Sequence, residues 1–183
     1  MIPRLQTAAA ISWCIPLGKL TIRQIALFGV LGALTFGAKV AMSGLPNIEP
    51  VSLMVMLFAV VFGWKGLYAV YLYVVMEILL YGINLWNINY LYVWALLFVC
   101  ALAMRRLQHP LWWAGLSGLF GIAFGLLCSP VYMIAMNSVS YGIRWWQAGL
   151  VFDVTHAVGN FVIALLLFAP LRKLLTKLYG KIS

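Results

Sequence analysis

Negative charge is almost missing from this chain. Three acidic side chains, Glu49, Glu77 and Asp153, occur in 183 residues, and charged residues of either sign make up only 8%. So few charges cannot cover the surface of a soluble domain of this size, so lipid must solvate most of it. Cysteine is scarce as well. Cys14, Cys100 and Cys128 are widely spaced, the last two within apolar runs, and indicate neither a disulfide framework nor a metal cluster. Cys128 reads as a small core side chain or as a single catalytic or ligand-binding thiol. His109 and His156 stand too far apart for an ordinary zinc site with these ligands. No GxxxxGK[ST] loop cradles ATP phosphates, no HExxH occurs, and no strained nucleophile turn carries a serine. Catalysis, a metal and a cofactor are therefore not expected, and uptake against a gradient would draw its energy from partners or from ions.

What the chain has in abundance is apolar length. Hydrophobic residues make up 66%, and the mean hydropathy is +1.05. At roughly 20 residues per span, the length accommodates about six transmembrane helices in one compact bundle. An all-α integral membrane protein is expected, with no room for a soluble catalytic domain. The net charge of +9 sits in small groups between apolar runs rather than along one polar face, which argues for topology signals and against nucleic acid.

The chain divides into a lead-in at 1–20, a six-helix domain at 21–172 and a basic tail at 173–183. The lead-in superficially resembles a signal peptide but carries no convincing cleavage site, so an interfacial or cytoplasmic segment is expected. Spans are predicted at about 22–42, 51–62, 67–83, 88–104, 110–136 and 145–170. Pro130 predicts a kink in the fifth, and Pro170 the end of the sixth. Residues 84–87 and 137–144 read as loops. Alternating these loops across a membrane puts ten basic residues on one side: Arg4, Lys19, Arg23, Lys65, Arg105, Arg106, Arg172, Lys173, Lys177 and Lys181. Only Arg144, and Lys39 near the boundary, fall on the other. Basic residues favour the cytoplasm, so both termini are expected there.

Polar residues within the spans are costly unless they face a partner, a cavity or water. Asp153, His156 and Asn160 follow i, i+3, i+7 spacing on one helical face, in the outer half of the sixth span. Lys39 and Glu77 fall at comparable depth. Together they predict a pocket open to the outside and walled by spans one, three, five and six. Structural pairing of Lys39 with Asp153 or Glu77 is an alternative reading, and a proton relay through Glu77, Asp153 and His156 is another. Beyond the first span, Gly44, Pro46 and Pro50 stop the helix and present Asn47 and Glu49 in a polar loop. Aromatic residues crowd the same end, Tyr81, Trp86 and Tyr90 near Asn87, and Tyr132, Tyr141, Trp145 and Trp146 farther on. They suit either an interfacial belt or the rim of a binding site for a flat or ring-bearing solute. On the first span, Gly29, Ala33, Gly37 and Ala41 recur every four residues, a smooth stripe that invites another helix.

The stretches LPNIEPVSLMVMLFAVVFGWKGLYAVYLYVVMEILLYG, WNINYLYVWALL and DVTHAVGNFVIALLLFAPL resemble the substrate-binding S components of energy-coupling factor (ECF) vitamin transporters. The likeness spans nearly everything from about residue 21 onward and lies in the six-span layout. It implies a multi-pass protein of the bacterial plasma membrane that captures a vitamin from outside, topples beside a transmembrane coupling subunit and releases the solute inward. Two cytoplasmic ATPase subunits would supply the energy. Gly29, Ala33, Gly37 and Ala41 match the family's docking stripe, with two glycines where it usually carries alanines. The pattern looks closest to the cobalamin group; pyridoxine, a thiamin pyrimidine and pantothenate are the smaller alternatives. A stand-alone proton-coupled transporter and a membrane enzyme are the competing classes.

Overall fold

The computed structural model describes residues 19–45 and 48–181, and among them the chain is helical with short connections and no strand. The helices are α1 (Ile22–Ala41), α2 (Val51–Phe62), α3 (Leu67–Tyr81), α4 (Leu85–Ala103), α5 (Pro110–Ala135) and α6 (Val139–Tyr179). Residues 1–18, with Cys14 and Arg4, and the loop residues Pro46 and Asn47 lie outside the described residues.

Local chemistry sets most helix starts. Thr21 and Gln24 satisfy each other's backbone N–H groups in a capping box at α1. Asn84 accepts from the Asn87 N–H to cap α4, His109 caps α5 with Pro110 in its first turn, and Ser138 caps α6. These caps move two boundaries from their expected places. The presumed loop at 84–87 already belongs to α4 from Leu85, and the presumed loop at 137–144 is helical from Val139 onward. A short connection through Asn137, whose φ is 45°, reverses the chain there. Pro170 does not end the last helix. With Pro170 inside it, α6 continues to Tyr179, burying Leu175 and setting Tyr179 edge-on against Phe62 with ring centroids 4.9 Å apart. Tertiary packing outweighs the one backbone hydrogen bond that a proline forfeits.

Five segments are long and apolar enough to cross a membrane: Ile22–Ala41, Val51–Tyr81, Leu85–Ala103, Pro110–Ala135 and Val139–Tyr179. The second is not one straight helix. A 3₁₀ turn at Gly63–Gly66 interrupts it, Gly63 takes a φ of 58°, and Gly66 folds onto the Phe58 backbone so closely that a Cβ there would overlap the Phe58 carbonyl. The chain therefore doubles back between α2 and α3. Nine of the twelve α2 residues are buried, which makes this short helix the centre of the bundle rather than a lipid-facing one.

Contacts sort the helix ends into two groups. At one end the start of α1, the α2–α3 turn and the end of α6 meet, because Gln24 bonds both Tyr179 and Lys65. Arg172 of α6 reaches the Leu107 and Arg105 carbonyls in the α4–α5 connection, at the same end. At the opposite end the α1 and α3 C-termini converge through Lys39 and Glu77 on the start of α4. Small residues on α5 let α6 approach closely. A Cβ on Gly121 would lie 2.7 Å from the Ala157 backbone, and Asn160 binds Ser52 of α2 and the Ser117 carbonyl of α5.

The turn between α2 and α3 makes a direct prediction. Gly66→Ala forces the Phe58 backbone aside and should cost about 1–3 kcal/mol of stability. Gly29→Ala, where a Cβ meets nothing within 4 Å, should leave the melting temperature unchanged or raised. Thermal unfolding in detergent, followed by tryptophan fluorescence, measures both.

Candidate functional site

At the end where α1 and α3 terminate, the few charged side chains of the interior gather. Lys39 Nζ sits 2.6 Å from Glu77 Oε2 and donates to the Tyr90 hydroxyl at 3.1 Å. The Tyr90 ring lies 4.9 Å from the ammonium, with the Tyr73 and Tyr81 rings each at 5.9 Å. Trp86 Nε1 donates to the same Tyr90 hydroxyl at 2.7 Å. Of the two pairings open to Lys39, Glu77 rather than Asp153 is its partner. Glu77 is 1% exposed, and its second oxygen, Oε1, has no hydrogen-bond partner.

Two adjoining cavities open beside this pair. One, of about 240 Å³, lies among the end of α1, the α1–α2 connection, the end of α3 and the start of α4; Lys39, Glu49, Tyr81, Trp86 and His156 line it. The other, of about 390 Å³, lies between α4, α5 and the start of α6, lined by Trp86, Phe124, Trp145, Trp146, Asp153 and His156. Trp86, Phe124 and His156 face both and form the partition. The expected walls were spans one, three, five and six. Helix α4 adds a fifth wall through Trp86 and Tyr90, because its cap at Asn84 brings its first turn inside the bundle end.

The face of α6 reads as its spacing predicts. Asp153, His156 and Asn160 are all buried, but they do different things. Asn160 spends its amide N–H groups holding α2 and α5 and lines neither cavity, its Oδ1 left without a partner. Asp153 Oδ1 accepts from the Gly125 backbone N–H at 3.0 Å, and a Cβ at Gly125 would come to 2.5 Å of Oδ2, so a larger residue there would push the carboxylate aside. Asp153 Oδ2 and His156 Nε2 remain without partners although both side chains line a cavity. The ring of Phe124 meets His156 edge-on at 4.9 Å and fixes its plane.

Not every expected site residue reaches a cavity. Asn87 turns back to donate to the Gly82 carbonyl and holds the α3–α4 connection. Tyr132 stacks on Trp145 at 3.9 Å and 18°, so it supports a wall instead of lining one. Asn47 lies outside the described residues. Lys39, Glu49, Tyr81, Trp86, Trp145, Asp153 and His156 do come together. Phe124 and Gly125 were missed as site residues. The only sequence signal for them was the small-residue repeat Ser117, Gly121, Gly125, which marks the α5 face pressed against Asp153.

Along α1, Gly29, Ala33, Gly37 and Ala41 lie on the opposite face from Phe28, Leu31, Gly32 and Thr35, which are buried. Ala33, Gly37 and Ala41 are exposed, Gly29 is half-buried, and a Cβ on Gly29 or Gly37 would meet nothing within 4 Å. Comparison with protein-family models, curated proteins and solved structures finds no match for this chain.

Two predictions follow from the charge arrangement. Lys39→Met leaves the Glu77 carboxylate buried without a cation and should cost about 3–5 kcal/mol, whereas Lys39→Met with Glu77→Leu should recover most of it. Unfolding of both variants in detergent measures the difference. The second concerns pH. Burial, aided by the neighbouring Glu77 and opposed by Lys39, pushes the Glu49 carboxyl up from 4.5 to about 7. A raised acid favours the folded state while protonated, so stability should fall as pH rises through that interval. Glu49→Gln should flatten this part of the profile.

Proposed function

We propose that this chain is the solute-capturing S component of an ECF-type importer, and that it takes a ring-bearing micronutrient into the joined cavities beside Trp86. The observation that carries this reading is the pairing of two features on one small bundle. A half-open aromatic cavity with unpartnered polar atoms lies at one end, and a smooth unpartnered stripe runs along α1. An isolated secondary transporter has use for the first but none for the second.

The membrane layout follows from the same reading. Six crossings alternate through the bundle, α2 crossing as a short helix sheathed by its neighbours, where a buried helix need not match the lipid thickness. Both termini lie in the cytoplasm, because the bundle end holding Lys19, Arg23, Lys65, Arg105, Arg106 and Arg172 carries the basic residues. The cavities then open to the outside of a bacterial plasma membrane. Solute packs against the Trp86 and Trp145 rings, which touch each other, with Asp153 and His156 as its polar partners. The loaded bundle topples against an EcfT-like coupling subunit docked on Gly29, Ala33, Gly37 and Ala41, and two ATPase subunits drive the cycle. Delivery requires weaker binding in the toppled state, since a ligand held equally in both would stay put.

Among the ligand classes, the cavity volumes of about 390 and 240 Å³ favour a small vitamin or precursor. A corrinoid such as cobalamin, a much larger macrocycle, would have to displace the α1–α2 connection that carries Glu49 and the first turns of α6 that carry Trp145.

Ala33→Trp and Gly37→Trp should leave the fold and solute binding intact, yet abolish co-purification with the coupling subunit and uptake in reconstituted vesicles. Retained uptake in both variants would contradict the docking face, and uptake by the chain alone along a proton gradient would replace the reading with secondary transport.

A further inference from the structure

The joined cavities hold a charge deficit. Their walls bring three carboxyl groups, Glu49 from the α1–α2 connection, Glu77 behind Lys39 on α3, and Asp153 on α6, toward a space where Lys39 is the one permanent cation among the described lining residues. Lys39 is already committed to Glu77 and Tyr90. Arg144, at the start of α6, is exposed and lines neither cavity. Among the described residues Glu49 therefore only shares Lys39 with Glu77 and Asp153 has no cation; Asp153 Oδ2, on a residue 5% exposed, makes no hydrogen bond, and the one donor beside it, the Trp146 indole N–H, is itself unpartnered.

A buried carboxylate without a counter-charge costs several kcal/mol, so either a proton or a ligand must supply what is missing. The aromatic walls favour the same kind of guest. Tyr73, Tyr81 and Tyr90 already surround the Lys39 ammonium, and the Trp86, Trp145 and Phe124 rings at the cavity walls offer further negative faces of π-systems. His156 Nε2, 3% exposed at the residue level and also unpartnered, lies at the partition between the cavities. As a neutral imidazole it accepts a hydrogen bond there or gives one, so it suits an N–H donor heterocycle without demanding an anion.

We infer that the site selects a cationic or N–H-donating ring compound, of the protonated amine or aminoheterocycle class, with Glu49 and Asp153 as its two anionic partners, and that it rejects carboxylates. This rests on the capture reading above and narrows its ligand class: a thiamin-type pyrimidine fits, and pantothenate, which carries a carboxylate, does not. The elevated titration of Glu49 is in keeping with a carboxyl group that awaits a cation.

The test compares rings of equal size and different charge on the purified full chain, read by quenching of tryptophan fluorescence. Benzylammonium, benzyl alcohol and benzoate form one set, and the thiamin pyrimidine and pantothenate form the second. The cation should bind at least about tenfold tighter than its matched anion, with the neutral alcohol between them. Glu49→Gln should weaken benzylammonium severalfold more than benzyl alcohol and so shrink the preference, and Asp153→Asn provides the same test from the other wall. Equal or tighter binding of benzoate and pantothenate overturns the charge assignment and leaves solute capture standing. A cation preference that Glu49→Gln and Asp153→Asn both leave intact overturns the assignment of these two anchors. If no member of either set binds folded protein at millimolar concentration, both readings fall. A cation preference without any coupled uptake would support the site and remove the importer.

Discussion

The ion pair between Lys39 and Glu77 is the constraint on which the functional end of this bundle depends. A lysine near the C-terminus of α1 and a glutamate near the C-terminus of α3 meet at 2.6 Å in a setting lined by tyrosine rings. Such a pair contributes little net stability, because both ions lose their water. Its effect is on arrangement. The pair fixes how far α1 is turned and slid against α3, and the Tyr90 hydroxyl, bonded by both Lys39 and Trp86, carries that register across to α4. The cavity wall and the charge balance within it are consequences of this one contact.

Rotation of α1 has a second consequence on its far side. Phe28, Leu31, Gly32 and Thr35 face inward because Lys39 must reach Glu77, and so the residues one step around the helix, Ala33, Gly37 and Ala41, face outward. One helix therefore contributes a cation to the cavity and a smooth face to its surroundings. In the proposed importer these faces meet different partners, and a rigid α1 lets the presence of ligand at one face bear on docking at the other. The α5–α6 pair supplies the opposite wall. Its close approach through Gly121 and Gly125 brings Asp153 to the Gly125 N–H and leaves Oδ2 toward the cavity.

The sequence made the helical class, the lipid-facing composition and most helix positions legible, because apolar length is a local signal, whereas the caps at Asn84 and Ser138 start α4 and α6 inside what read as polar loops. It also made the α6 polar face legible, since i, i+3, i+7 spacing needs no tertiary knowledge. What it could not convey was which partner each polar group takes. Asn87 and Asn160 look like site residues by type, yet one closes a connection and the other joins three helices. Pro170 looked like a stop and is carried inside a helix whose last turns pack against Phe62 and Gln24. Phe124 is one apolar residue among many until α6 brings His156 to its edge. Each of these depends on contacts between residues far apart in the chain, which periodicity does not encode.

The most direct measurement is calorimetric titration of the folded, detergent-solubilised chain with a panel of vitamins and precursors, including cobalamin and cobinamide. A solute-capture subunit should bind one ring-bearing compound tightly, at one molecule per chain, with Trp86→Ala weakening it by at least about tenfold. Absence of stoichiometric binding by any compound to demonstrably folded protein would contradict solute capture at this site.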